Sequence, residues 1–66
     1  MRIDFIEYEQ STTKMKAVGR LGNGQIVIMQ YRGKNGVFDY GNPLSVKTES
    51  GKCITNYQIY INNKQV

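Results

Sequence analysis

Between its glycine-bearing turns this chain alternates apolar and polar residues, and nowhere do apolar residues recur at i, i+3, i+4 and i+7. That pattern restricts it to strands, because a period of two sends successive side chains to opposite faces of a sheet whereas a helix needs 3.6. The expected fold is all-β with little or no helix. It is a small five- or six-stranded antiparallel meander curled into an SH3-like or OB-like barrel or half-barrel, with residues 1–66 forming a single small domain. A chain of 66 residues hides only roughly 60% of the surface its unfolded form exposes, so the core is expected to be small.

Three hairpins can be placed from their turns. Asn35-Gly36 is the dipeptide a type I′ turn favours, since both central positions need positive φ; it pairs Lys34 with Val37, Arg32 with Asp39 and Tyr31 with Tyr40. Ser50-Gly51 as a two-residue turn pairs Glu49 with Lys52, Thr48 with Cys53, Val46 with Thr55 and Leu44 with Tyr57. That register gathers Leu44, Val46, Cys53, Tyr57, Ile59 and Ile61 on one core face, and a slip of one residue would turn every member outward.

The first hairpin has two readings. With Asn23-Gly24 as the turn, Lys16, Val18 and Arg20 share a face with Val27, Met29 and Tyr31. With Gly22-Asn23-Gly24 as a three-residue loop, Lys14, Lys16, Val18 and Arg20 share a face with Ile26, Ile28, Gln30 and Arg32. In both, Ile26-Val27-Ile28-Met29 is apolar on two sides and belongs in the middle of the sheet. Strand one, Arg2 to Gln10, breaks its own alternation, with Ile3 and Phe5 on one parity and Ile6 and Tyr8 on the other; a β-bulge or sharp bend near Phe5-Ile6 is expected to return both pairs to the interior.

The net charge of +4 is unevenly laid out. From Gln10 to Phe38 the chain carries Lys14, Lys16, Arg20, Arg32 and Lys34 and no acid, while Asp4, Glu7 and Glu9 gather near the start. Cations interleaved with tyrosine on a sheet are what single-stranded nucleic acid binding uses, the rings stacking on bases and the cations following phosphates. The candidate contact set is Lys14, Lys16, Arg20, Tyr31, Arg32, Lys34 and Tyr40. The competing explanation for the tyrosines is structural, since a domain without tryptophan draws its aromatic mass from them.

Catalysis finds little material. There is no histidine, the commonest general base and nitrogen ligand, and no catalytic or metal site is expected, nor any cofactor. Gly19-Arg20-Leu21-Gly22-Asn23-Gly24 is glycine-rich, but a phosphate cradle needs a helix to follow it. The lone Cys53 has no thiol partner and is expected buried and unbonded. No apolar run approaches the ~20 residues that span a bilayer, and the N-terminus lacks the apolar region and cleavage site of a signal peptide; a cytoplasmic protein without membrane contact is expected. Abundant lysine, asparagine, isoleucine and tyrosine suit an AT-rich coding sequence of the bacterial or phage kind.

These residues favour a small, basic, non-enzymatic domain that binds nucleic acid, single strand or duplex, mainly through phosphates and with low sequence specificity. The alternative is a protein-binding module, such as a small phage-type inhibitor or adaptor that meets an acidic protein surface, or a homo-oligomer. A third reading is sequestration of a small anionic ligand such as a nucleotide.

Overall fold

A computed structural model describes residues 1–66. It is all-β: β1 (Arg2–Gln10), β2 (Lys14–Leu21), β3 (Ile26–Arg32), β4 (Ser45–Thr48), β5 (Gln58–Ile61) and β6 (Lys64–Gln65). They form one six-stranded sheet in the order β4-β3-β2-β1-β5-β6. The sheet is not closed, since β4 and β6 lie at its two ends, and no helix is long and apolar enough to cross a membrane. The meander expectation holds from β1 to β4 and fails beyond it: β5 pairs parallel with β1, Ile3 beside Ile59. Reaching that place takes the chain from one side of the sheet to the other, along residues 49–57.

The first hairpin takes the three-residue loop. The Leu21 N–H donates to the Gln25 carbonyl at 2.8 Å and the Gly24 N–H to the Leu21 carbonyl at 2.9 Å, with Gly24 at φ 88°. Asn23-Gly24 suits a two-residue turn locally, but that register would set Lys16 and Arg20 on one face with Val27, Met29 and Tyr31, burying cations with the core. The observed register pairs Ala17 with Met29 and Met15 with Tyr31, all buried. Burial therefore overrides the local turn preference.

The last expected hairpin departs from its reading by one residue. The Thr48 N–H donates to the Lys52 carbonyl at 2.9 Å, so the loop is Glu49-Ser50-Gly51 with Gly51 at φ 93°. A two-residue turn on Ser50-Gly51 needs positive φ at Ser50, whereas the longer loop needs it only at the glycine. Lys47 consequently bridges to Cys53, and Cys53 is exposed and unbonded. Leu44 is 68% exposed and Ile61 half-buried; Val46 and Ile59 do join the core, and Tyr57 packs against it. The expected second strand of this hairpin is reduced to the one Lys47–Cys53 bridge, and Asn56 beyond it adopts a left-handed φ of 56°. A further hairpin is present that no glycine turn announces: Asn62 and Asn63, both at positive φ, turn β5 into β6 with Ile61 opposite Lys64.

The core lies on one face of the sheet. Ile3, Met15, Ala17, Leu21, Val27, Met29, Tyr31, Val46 and Ile59 come from the strands and Phe38 from the β3–β4 connection. No helix or second sheet covers them. Phe38 and Tyr40 from one connection, and Ile54 and Tyr57 from the next, pack over that face instead. Gly19 lies where the packing is tightest: a Cβ there would stand 2.6 Å from Ile3 Cγ2 and 2.9 Å from Met29 Cε. The bulge falls where the broken alternation puts it, between Phe5 and Glu7, but only Ile3 and Phe5 gain cover. Ile6 and Tyr8 remain 47% and 55% exposed.

Candidate functional site

The opposite face of the sheet is open. Antiparallel pairing brings side chains of matching parity into rows across the strands, and the register fixes what those rows contain. Lys14 stands beside Arg32, Lys16 beside Gln30, Val18 beside Ile28 and Arg20 beside Ile26. β4 adds Lys47 opposite Ile28 and Ser45 opposite Gln30. β1 adds Glu9 opposite Lys16, Glu7 opposite Val18 and Asp4 opposite Arg20. Lys14, Lys16, Arg20, Arg32 and Lys47 are all exposed, with the half-buried Val18, Ile26 and Ile28 between them.

This face is therefore two-toned, with cations on β2, β3 and β4 and an acidic margin on β1. The chain's one ion pair is Arg2–Asp4 at 2.9 Å, where the Arg2 guanidinium also stacks 4.0 Å from the centre of the Tyr60 ring. Asp4 is thus engaged on β1, and the cations of β2 to β4 face solvent without a carboxylate partner. An open groove at the β1–β2 end is lined by Glu9, Lys14, Lys16, Gln30, Arg32 and Leu44, among others.

Four of the seven residues singled out from sequence, Lys14, Lys16, Arg20 and Arg32, share this face. Lys34 lies past the end of β3 in the type I′ turn, where Asn35 and Gly36 are at φ 54° and 79°. The Lys34 and Val37 backbones exchange hydrogen bonds of 3.1 and 3.0 Å, and Gly36 N–H anchors the turn to the Thr12 carbonyl at 2.7 Å. The ladder stops there, so Arg32 does not pair with Asp39, whose carboxylate instead accepts from Asn42 Nδ2 at 2.7 Å.

Tyr31 is on the other face. It is 3% exposed, its hydroxyl donates to the Tyr40 carbonyl at 2.8 Å, and its ring meets that of Tyr40 edge-on at 6.1 Å. Burial, followed by the nearby Tyr57, Asp39 and Tyr40, pushes the Tyr31 hydroxyl well above the usual tyrosine range. Neither Tyr31 nor the half-buried Tyr40 belongs to the basic face; their pairing is core structure. Lys47 is the residue sequence reasoning missed. It alternates with Val46 and Thr48, which both point inward, so its outward direction was readable, but its place beside Ile28 depends on the β3–β4 register.

No group of histidine, cysteine, aspartate and glutamate side chains comes together in a way that could hold a metal ion. What fold and face define is a small all-β protein that presents a cation-rich sheet surface. No protein-family model, curated protein or solved structure matches the chain.

Proposed function

We propose that the chain binds nucleic acid through its phosphates, using Lys14, Lys16, Arg20, Arg32 and Lys47, with low sequence specificity. The observation that carries this reading is that these cations share one exposed face and lack carboxylate partners. Neighbouring same-face positions along an extended strand are about 6.7 Å apart, so Lys14 and Lys16 form a short file that a flexible polyanion can follow. Tyr31 and Tyr40 have no part in it, so binding rests on charge and counterion release rather than on base stacking. The acidic β1 margin limits the bound strand to the β2–β4 side. A curl of the bulged sheet toward an SH3-like or OB-like half-barrel is part of the same proposal.

The test is a titration of fluorescent single-stranded and duplex oligonucleotides at several salt concentrations. Affinity should fall steeply with salt. Lys16→Glu with Arg20→Glu should weaken binding and flatten the slope of log K against log salt by about one unit per lost phosphate contact. A second reading, docking of an acidic protein surface, is favoured by Val18, Ile26 and Ile28, which place apolar area among the cations. A folded double variant that binds oligonucleotide as the parent does would move the assignment to that partner.

A further inference from the structure

β1 is covered on its outer side for only part of its length. β5 pairs with it at Arg2, Ile3 and Asp4, and no strand pairs with that edge from Ile6 to Gln10. All five of those residues are exposed.

The register shows which backbone groups are open there. The Leu21 N–H donates to Gln25, so Leu21 directs its peptide groups at β3. By alternation, Arg20, Val18 and Lys16 direct theirs at β1. Their partners Glu7 and Glu9 are therefore satisfied by β2, and Tyr8 and Gln10 present N–H and C=O groups outward. Two faces flank this edge. Glu7 and Glu9 lie on the open face of the sheet. Tyr8 lies on the core side, at the end of a file of rings running outward from the buried Tyr31: Tyr31–Tyr40 at 6.1 Å, Tyr40–Phe5 at 6.0 Å and Phe5–Tyr8 at 6.0 Å.

We infer that the Ile6–Gln10 edge accepts an extended segment of a partner protein, added to the sheet as a further strand. Its side chains are basic where they face Glu7 and Glu9 and apolar where they meet Tyr8. Main-chain hydrogen bonds supply the attachment and the alternating side chains the selectivity. Charge disfavours a second copy of this chain at the same edge in the registers that overlap it most. Antiparallel pairing centred on Tyr8 sets Glu7 against Glu9, and centring on either acid sets it against itself; like charges directly opposite are destabilising. The same acids attract a segment that alternates lysine or arginine with apolar residues. This site is the outer edge of β1, at the acidic margin of the sheet face whose cations lie on β2 to β4, and it does not rest on the nucleic-acid reading.

The test uses a blocked synthetic peptide alternating lysine and valine, followed by amide shifts of the isotope-labelled chain. Saturable binding that moves the Tyr8 and Gln10 amides is expected. Glu7→Lys with Glu9→Lys should weaken it by about tenfold or more while leaving oligonucleotide binding intact or tighter, which separates failure here from failure of the proposed function. Two further peptides, N-methylated at alternate amides in opposite phases, should differ, because only one phase removes the N–H groups that face β1. Tyr8→Pro provides a second variant: its N–H points outward, so the sheet tolerates the change but the edge loses a donor, and peptide binding should fall. Equal binding of both methylated peptides, shifts confined to other strands, or a dimer of the free chain that Tyr8→Pro dissolves would overturn the inference.

Discussion

The Leu21–Gln25 and Thr48–Lys52 loops are built alike and lead to different outcomes. Each closes with an N–H to C=O bond across three loop residues, 2.8 Å at Leu21–Gln25 and 2.9 Å at Thr48–Lys52, and each ends on a glycine at positive φ. After the first, pairing runs from Arg20–Ile26 to Lys14–Arg32. After the second it ends at the Lys47–Cys53 bridge and the Ile54 N–H bond to Val46 at 2.9 Å. The difference lies downstream. Ile26 to Met29 supplies side chains for both faces, whereas Lys52 to Asn56 supplies only Ile54 to the core before Asn56 turns the chain away. A turn selects the register, and the side chains that follow decide whether a ladder continues.

Substitutions can break or sharpen that contrast. The largest effect is expected at Met29, fully buried in the first hairpin: Met29→Ala should cost about 2–5 kcal/mol, read as a lowered denaturation midpoint. Gly24→Ala and Gly51→Ala come next. Both glycines have open space around them and positive φ, so each change costs only the left-handed backbone penalty, about 1–2 kcal/mol. Nearly equal losses in chemical denaturation would show that the two loops are equivalent in energy; a much smaller loss at Gly51 would show that the second hairpin contributes little to the fold. The smallest effect is expected at Cys53, which is exposed. Cys53→Ser should stay within about 0.5 kcal/mol of the parent, and a thiol reagent should label the native chain rapidly.

The strands of the first half were legible in the sequence because their alternation and glycine turns mark where each begins and ends, and the break at Phe5-Ile6 marks the irregularity in β1. β1 ends at Gln10 as its pattern implies, and the apolar-on-both-sides Ile26–Met29 lies between two strands. The first hairpin's register required weighing cations against the core, which the alternation alone does not do. The second half was less readable. Ser50-Gly51 offers opposite-charge closure in the wrong register, and nothing local announces that β5 pairs with β1, a contact between residues far apart in the chain. The site divides in the same way. The strand cations could be read from parity, but Tyr31 could not be assigned to core or surface until the hairpin register was known, and Lys47 required knowledge of which strand it borders.

Tyr31 also gives the molecule an optical clock. With its hydroxyl held above the ordinary value of about 10 by burial, the neutral ring contributes stability that is fully present below that pH and is lost as the pH rises toward the raised folded value. Above pH ~10 the unfolded chain releases a proton that the folded chain retains, so alkali favours opening. The chain has no tryptophan, which leaves tyrosinate absorbance free of indole background. After a jump to high pH, the slow part of that absorbance should report how often the Tyr31–Tyr40 contact opens to solvent, a rate measured without attaching any label.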